Sequence, residues 1–381
     1  MNLYYAIEHR AKCLAARFSK KAKESIQSLR SAATPIQQNR KLCLFDFTSG
    51  SIDSVMARYL FHIVSEFQSL DFQLVFANRF NFLATAHRKQ FKTYCFENDY
   101  ALIEPYQTDT PFEVVISDRK THPYQTLSKS IYVDFSKRRS VQEYEFELPF
   151  FVHPDTQKNN LILRQLFEPE KNRPLKIFFA GTCHAKGYNR SILSTKFNII
   201  PRYQAIEELK RQLPDAIHYP KSHDDLYTDE AHQKIILAIR DRLCISPVPK
   251  GQWIQTLSHS NFFLAFPGVK MPLCHNAIES LAAGAIPIIQ YAEYLSPPLT
   301  HGVNCLIFAC KKSLIEQVNT ALQMDSDEIV RMRKAARSYY ETHCAPGRFA
   351  QRLIDSEPDQ LTLLFNAYRT PAIKTPQLES S

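Results

Sequence analysis

The chain has 381 residues, 44% of them hydrophobic and 22% charged, the composition of a soluble globular protein with room for two domains. No run of eighteen apolar residues occurs and the N-terminus lacks the apolar core of a secretory signal, so neither a spanning helix nor a signal peptide is expected. Nine cysteines scattered without paired ligand spacings point to a reduced, cytoplasmic setting.

The net charge of +9 suggests nucleic acid until it is located. Residues 1–40 hold eight Lys and Arg against Glu8 and Glu24, a net +6, so the rest of the chain carries only +3. In this arm Leu3, Ile7, Ala11, Leu14, Phe18, Ala22 and Ile26 recur at steps of three and four and form one helical stripe. Arg10, Arg17, Lys20, Lys21 and Lys23 lie mostly off it. A basic amphipathic helix of this kind packs its stripe on the protein's own core or on a second subunit. Alternatively, residues 1–30 lie on an anionic membrane surface, at the inner face of the membrane. No aromatic-basic module accompanies the charges, so nucleic acid is not an expected partner.

From residue 41 the pattern changes. "KLCLFDFTSG" reads as a buried strand and turn, "SIDSVMARYLFHIVSEF" as a helix, and "FQLVFANR", "FEVVISDR" and "SIYVDF" as further strands. Strands that are nearly continuous in apolar residues and alternate with helices predict a parallel sheet covered on both faces. Ligands of such sheets sit in the loops after the strands' carboxyl ends, here Ser49–Asp53, Asn78–Arg79 and Ser117–His122.

"LPFFVHPDTQKNN" reads as a linker, after which a second series begins. "PLKIFFAGTCHAKGYNR", "DAIHYP", "FFLAFPG", "AIPIIQ" and "HGVNCLIFA" supply strands, with "RYQAIEELKRQL" and "HQKIILAIRDRL" as helices between them. "DSDEIVRMRKAARSYYETHC" is a helix entered from Asp325 or Ser326. The expected organisation is a helical extension over 1–40, Rossmann-like domains over 41–150 and 151–355 facing a cleft, and a helix and flexible tail over 356–381.

The stretch "CHNAIESLAAGAIPIIQ" opens a helix directly after the loop "FPGVKMP". A helix N-terminus offers unpaired N–H groups and partial positive charge, which suit a phosphate, and Lys270 adds a full charge. His275 and Glu279 are four apart and share a face, with Asn276 three from Glu279. This spacing predicts a nucleoside diphosphate site, with phosphates at the helix end near His275 and Asn276 and the ribose diol on Glu279. Gly181 and Gly268 follow apolar strands and are expected where a ligand approaches the backbone. Lys186, Arg190 and Arg202 follow Gly181, and at least one is expected to neutralise a leaving diphosphate.

"FFLAFPGVKMPLCHNAIESLAAGAIPIIQYAEYLSPPL" resembles the donor-site region of GT-B glycosyltransferases, with its closest likeness to the exostosin-like group. "HGVNCLIF" is similar to the G-x-N-G-x-L strand that follows the donor helix in many nucleotide-sugar transferases, and "KIFFAG" resembles the strand that opens the exostosin-type C-terminal domain. The resemblance covers residues 175–310 and, more weakly, extends to 355. It implies a GT-B fold and a metal-independent transfer of a sugar from a nucleotide-sugar donor to a glycan or lipid-linked acceptor, with surface polysaccharide as the expected product and no further cofactor. Three positions depart from the pattern. Met271 stands where retaining members carry an earlier glutamate, Cys305 replaces the second glycine of G-x-N-G, and only His275 stands near the helix start where the exostosin group has an arginine.

An inverting transfer needs a base for the acceptor hydroxyl, and Asp53, Asp118 and His122 lie in suitable loops, with His184 on the other side of the expected cleft. Cys183-His184 and Cys274-His275 are adjacent pairs that cannot easily chelate one ion, so no metal site is expected. A nucleotide-sugar epimerase and a non-catalytic GT-B-like binding protein are the alternatives.

Overall fold

The structure, a computed structural model, describes residues 18–37, 39–48, 57–107, 109–135, 143–162, 166–240 and 248–365. The chain forms two compact units. The first runs to Leu148 and resumes at Pro346; the second spans Pro149–Ala345.

The first unit begins with α1 (Lys20–Ala32), whose N-cap Ser19 accepts the Ala22 N–H. Its apolar positions Ala22 and Ile26 are buried, the Tyr100 hydroxyl donates to the Leu29 carbonyl at 2.7 Å, and Phe18 packs on Phe80. Of the arm's stripe, Ala22 and Ile26 are therefore packing surface, while Phe18 stays largely exposed. Leu3, Ile7, Ala11 and Leu14 lie outside the described residues. Then follow β1 (Leu42–Asp46), α2 (Ala57–Gln68), β2 (Gln73–Ala77), β3 (Tyr100–Ile103), β4 (Phe112–Ser117), β5 (Thr126–Asp134) and β6 (Glu145–Glu147). Every residue of β1 and β2 is buried, as expected for strands covered on both faces.

The second unit contains β7 (Leu175–Thr182), α3 (Arg202–Gln212), β8 (Ile217–His218), β9 (Ile235–Arg240), α4 (Trp253–Ser258), β10 (Ser260–Ala265), α5 (His275–Ala282), β11 (Ile286–Ile289), β12 (Leu306–Ile307), α6 (Lys311–Gln323) and α7 (Ser326–His343). Its sheet is parallel, in the order β12-β11-β10-β7-β9-β8. Successive side chains leave opposite faces. Phe178, Ile236 and Phe263 join Ala277, Ile278 and Leu281 of α5 in one core. Ile177, Phe179 and Phe262 join Ile206 and Leu209 of α3 and Val318 of α6 in the other.

The chain then returns to the first unit with α8 (Arg348–Asp355) and β13 (Gln360–Leu364). β13 pairs with β5 on one side and β6 on the other, completing a parallel sheet in the order β3-β2-β1-β4-β5-β13-β6. No helix among the described residues is long and apolar enough to cross a membrane.

Several sequence expectations need correction. "HQKIILAIRDRL", read as a helix, supplies strand β9, paired on both sides; a short apolar run carries no period that separates a buried strand from a buried helix. The segment from Pro346 to 355 packs with the first unit rather than the second, and 360–364, expected in a helix and tail, is a strand because Leu361, Leu363 and Leu364 are buried in the first sheet. Residues 366–381 lie outside the described residues. The expected linker is packed too, with Phe151, Val152 and Thr156 buried and a helical turn at Pro154–Lys158.

Candidate functional site

In the second sheet β7 is the first strand and β10 the fourth, and they are neighbours. The chain moves from β7 to one side, through β8 and β9, and later to the other side, through β10, β11 and β12. The carboxyl ends of β7 and β10 therefore flank the point where strand order reverses, the place where ligands of open α/β sheets bind. Gly181, one residue before the end of β7, has φ of 147°, a conformation open to glycine, and a side chain there would begin 3.6 Å from the Arg202 guanidinium. Beyond β10 the loop through Gly268 and Lys270 leads into α5. Its N-cap, Cys274, caps no N–H with its side chain.

Arg202 joins these parts. It opens α3, is 5% exposed, and donates from Nη1 to the Thr182 carbonyl at 3.0 Å. Its Nη2 lies 3.7 Å from the Cys274 sulfur, and its guanidinium rests on the Tyr188 ring at 4.5 Å. Its buried Nε has no hydrogen-bond partner, and among the described residues no carboxylate pairs with it. A buried, uncompensated cation beside the uncapped first turn of α5 is arranged to receive an anion. Cys183, at the end of the same strand, is no thiolate: burial pushes its thiol up to about 11, against the smaller pull of Arg202.

The other expected donor-site residues separate. Lys186, Arg190 and Lys270 are exposed, and Asn276 is half-buried, accepting from the Cys274 thiol at 3.5 Å. Gly268 closes its own turn, donating to the Pro272 carbonyl at 3.2 Å with the Met271 carbonyl 3.0 Å from where a Cβ would stand. This packing accounts for the glycine without a ligand. His275 is buried, stacks on Phe150 at 4.8 Å and bonds the Phe151 carbonyl through Nδ1 at 2.7 Å. His184 caps a turn of helix, its Nδ1 accepting from the Gly187 N–H.

Glu279 corrects the sequence reading most. Instead of facing a ligand it is 2% exposed and holds three donors: the His153 N–H at 3.1 Å and the Thr156 hydroxyl at 2.7 Å on Oε1, and the Trp253 indole N–H at 2.7 Å on Oε2. It braces α5 against α4 and the 153–156 segment. A ribose diol would have to displace Thr156 or Trp253.

In the first unit Asp53 lies outside the described residues. Asp118 accepts from the Thr48 N–H at 2.9 and 3.0 Å and from its hydroxyl at 3.0 Å. His122 bonds the Ser130 hydroxyl through Nε2 at 2.8 Å; burial, and then the Arg119 charge, hold its pKa below the ordinary value, which keeps the ring neutral. Two of the loops expected to hold a ligand do meet, through Arg79 and Arg119; what the sequence reading missed is Asp46, which joins them. Asp46, the last residue of β1, is fully buried and takes Arg79, Arg119 and Tyr124 on its two oxygens. A buried strand of apolar residues ending in Asp, followed after later strands by Arg79 and Arg119, was the available signal.

No family model matches the chain, and no curated protein matches it. Among solved structures it is similar to an alpha-glucosyltransferase in complex with UDP and a 13-mer DNA, at 12% identity and a TM-score of 0.42, with 83% of this chain and 98% of that chain covered. It is also similar to HepE of Anabaena in complex with UDP, at 10% identity and a TM-score of 0.41 over 82% of this chain and 98% of the other. A glycosyltransferase from Rickettsia africae ESF-5 matches at 10% identity and a TM-score of 0.42 over 82% and 96%. Likeness at such scores carries no inference about chemistry, which rests on the residues of this chain.

Proposed function

We propose that the protein is a glycosyltransferase that moves a sugar from a nucleoside diphosphate donor to a hydroxyl of a glycan or lipid-linked acceptor. The observation that carries the reading is Arg202, buried and without a carboxylate partner among the described residues, at the strand-order reversal of the second sheet, beside the start of α5. In such a transfer the acceptor oxygen bonds to the anomeric carbon while the bond from that carbon to the diphosphate breaks, and negative charge grows on the diphosphate. Arg202 and the first-turn N–H groups of α5 would take up that charge. Turnover is then expected to survive EDTA, with Arg202 in the place a divalent ion fills elsewhere. The acceptor proton goes to a base, for which His122 and Asp118 are candidates among the described residues.

The test is calorimetric titration with UDP, GDP and ADP beside their nucleosides. Arg202→Gln should weaken the preferred diphosphate about ten- to a hundredfold, the effect of one charge-assisted hydrogen bond, and leave the nucleoside unchanged. A folded Arg202→Gln protein that keeps full diphosphate affinity would remove the basis of the reading.

A further inference from the structure

The charge cluster at the carboxyl end of the first sheet has more cation than it needs. Asp46 Oδ1 accepts from Arg79 Nε at 2.8 Å; Oδ2 accepts from Arg79 Nη2 at 2.9 Å, Arg119 Nη2 at 2.9 Å and the Tyr124 hydroxyl at 3.0 Å. One forked pair with Arg79 already satisfies a buried carboxylate. Among the described residues Arg119 makes the site positive by one charge, and its Nε is buried without an acceptor. Such an unmade bond is costly unless an acceptor arrives from outside. The neighbouring acids are engaged elsewhere: Asp118 with Thr48, and Glu104 with the Asn78 amide at 2.7 Å.

The pair is also presented to solvent. The side chain of Asp46 is fully buried, that of Arg79 is 14% exposed and that of Arg119 28%. Both guanidiniums lie over the ring of Tyr106, at 4.5 and 5.3 Å from its centre, and Tyr106 itself is 55% exposed. β1 and β4, whose carboxyl ends carry Asp46 and lead to Arg119, are adjacent, and the strand order of this sheet reverses between them. Two planar forks fixed at their backs by one carboxylate, with an aromatic floor, match the oxygens of a phosphoryl group better than a lone carboxylate, which a single fork would satisfy.

We propose that Arg79 and Arg119, held by Asp46 and resting on Tyr106, bind a phosphoryl group carried by the acceptor. Its assignment to the acceptor rests on the transferase reading; the site itself does not. The phosphate belongs either to a soluble sugar phosphate or to a lipid headgroup, and the probes separate the two.

The experiment titrates the full chain with glucose 6-phosphate, with glucose as the uncharged control and glucuronate as the carboxylate control. Sedimentation with phosphatidylcholine vesicles, with and without phosphatidic acid, supplies the lipid arm. Wild type should bind at least one phosphate probe and neither control as tightly. Arg119→Gln should weaken that probe about tenfold or more, and Arg119→Lys, which keeps the charge but loses the fork, should fall between. Arg79 keeps its pair with Asp46 in both variants, and UDP affinity should not change. Affinity unaltered in both variants, equal binding of glucuronate, or a loss that follows Arg202→Gln instead would overturn the site. If the probe responds to Arg119 while wild type binds no nucleoside diphosphate, the phosphoryl site stands and the transferase reading falls. If UDP binds as expected and no phosphate probe responds to Arg119, the reverse holds.

Discussion

Removing Glu279 tests the brace directly. Glu279→Ala strands the His153 N–H, the Thr156 hydroxyl and the Trp253 indole N–H together. A buried donor without a partner costs about 1–3 kcal/mol. Trp253 is half-buried and Thr156 can rotate towards another acceptor, so the sum should fall at about 3–5 kcal/mol rather than at the upper limit. For a unit of this size that is a drop on the order of 10 °C in the melting point. Glu279→Gln keeps one oxygen for His153 and Thr156 but turns an amide N–H towards the indole N–H, so it should lose less, about 1–2 kcal/mol. Scanning calorimetry measures the loss. Trp253 is the only tryptophan in the chain, so its emission reports the same site. Glu279→Ala melting within a degree of wild type, with unaltered emission, would refute the brace. A lost diphosphate affinity in that otherwise intact protein would restore Glu279 as a ribose ligand.

Glu66 should make the first unit's stability depend on pH. Burial raises its carboxyl to about 7 against the pull of the Ala350, Phe349 and Gly347 amides and Arg352, while burial keeps neighbouring His62 neutral. A raised acid binds its proton more tightly when folded. The contribution is therefore complete below about 4.5 and is lost as pH rises to about 7, by about 3 kcal/mol. His62, lowered to about 3 by burial, acts in the opposite direction, because below about 6.5 only the unfolded chain protonates it. The Glu66 contribution is therefore read as a difference: in urea titrations from pH 4.5 to 8, wild type should lose stability with rising pH relative to Glu66→Gln, which can still accept from Phe349 and Ala350. Arg173 is buried and donates to the Ser260, Ala283 and Gly284 carbonyls, so it ties β10 to the end of α5. Arg173→Met should cost about 2 kcal/mol in urea unfolding with an unchanged slope, since three acceptors lose their donor while the apolar stem is kept.

Alternating apolar runs disclosed most of both sheets, because β1, β2, β7 and β10 are buried on both faces and carry few polar residues. β9 escaped because its run is too short to show a period, and β13 because its five residues follow Pro358-Asp359 in a stretch read as helix and tail. At the site, Gly181 and Arg202 were legible as a strand end followed by basic residues. The fate of Glu279 was not, since its partners His153, Thr156 and Trp253 come from segments that only the folded chain brings to it. The same holds for Asp46 and its two arginines, 33 and 73 positions away. Helical spacing shows what shares a face, and says nothing about what stands opposite.

The position of β13 has a consequence for how the chain is made. β5 and β6 are not neighbours; each pairs with the last described strand, which is synthesised after the whole of the second unit. Until residues 360–364 leave the ribosome, β6 has no partner and β5 presents an open edge of the kind that recruits foreign strands. The second unit can close first, although it comes later in the chain, and the first waits for its final piece. A chain cut short at residue 345 would therefore leave the first sheet with an exposed edge, and aggregation rather than a clean half-protein is its natural fate.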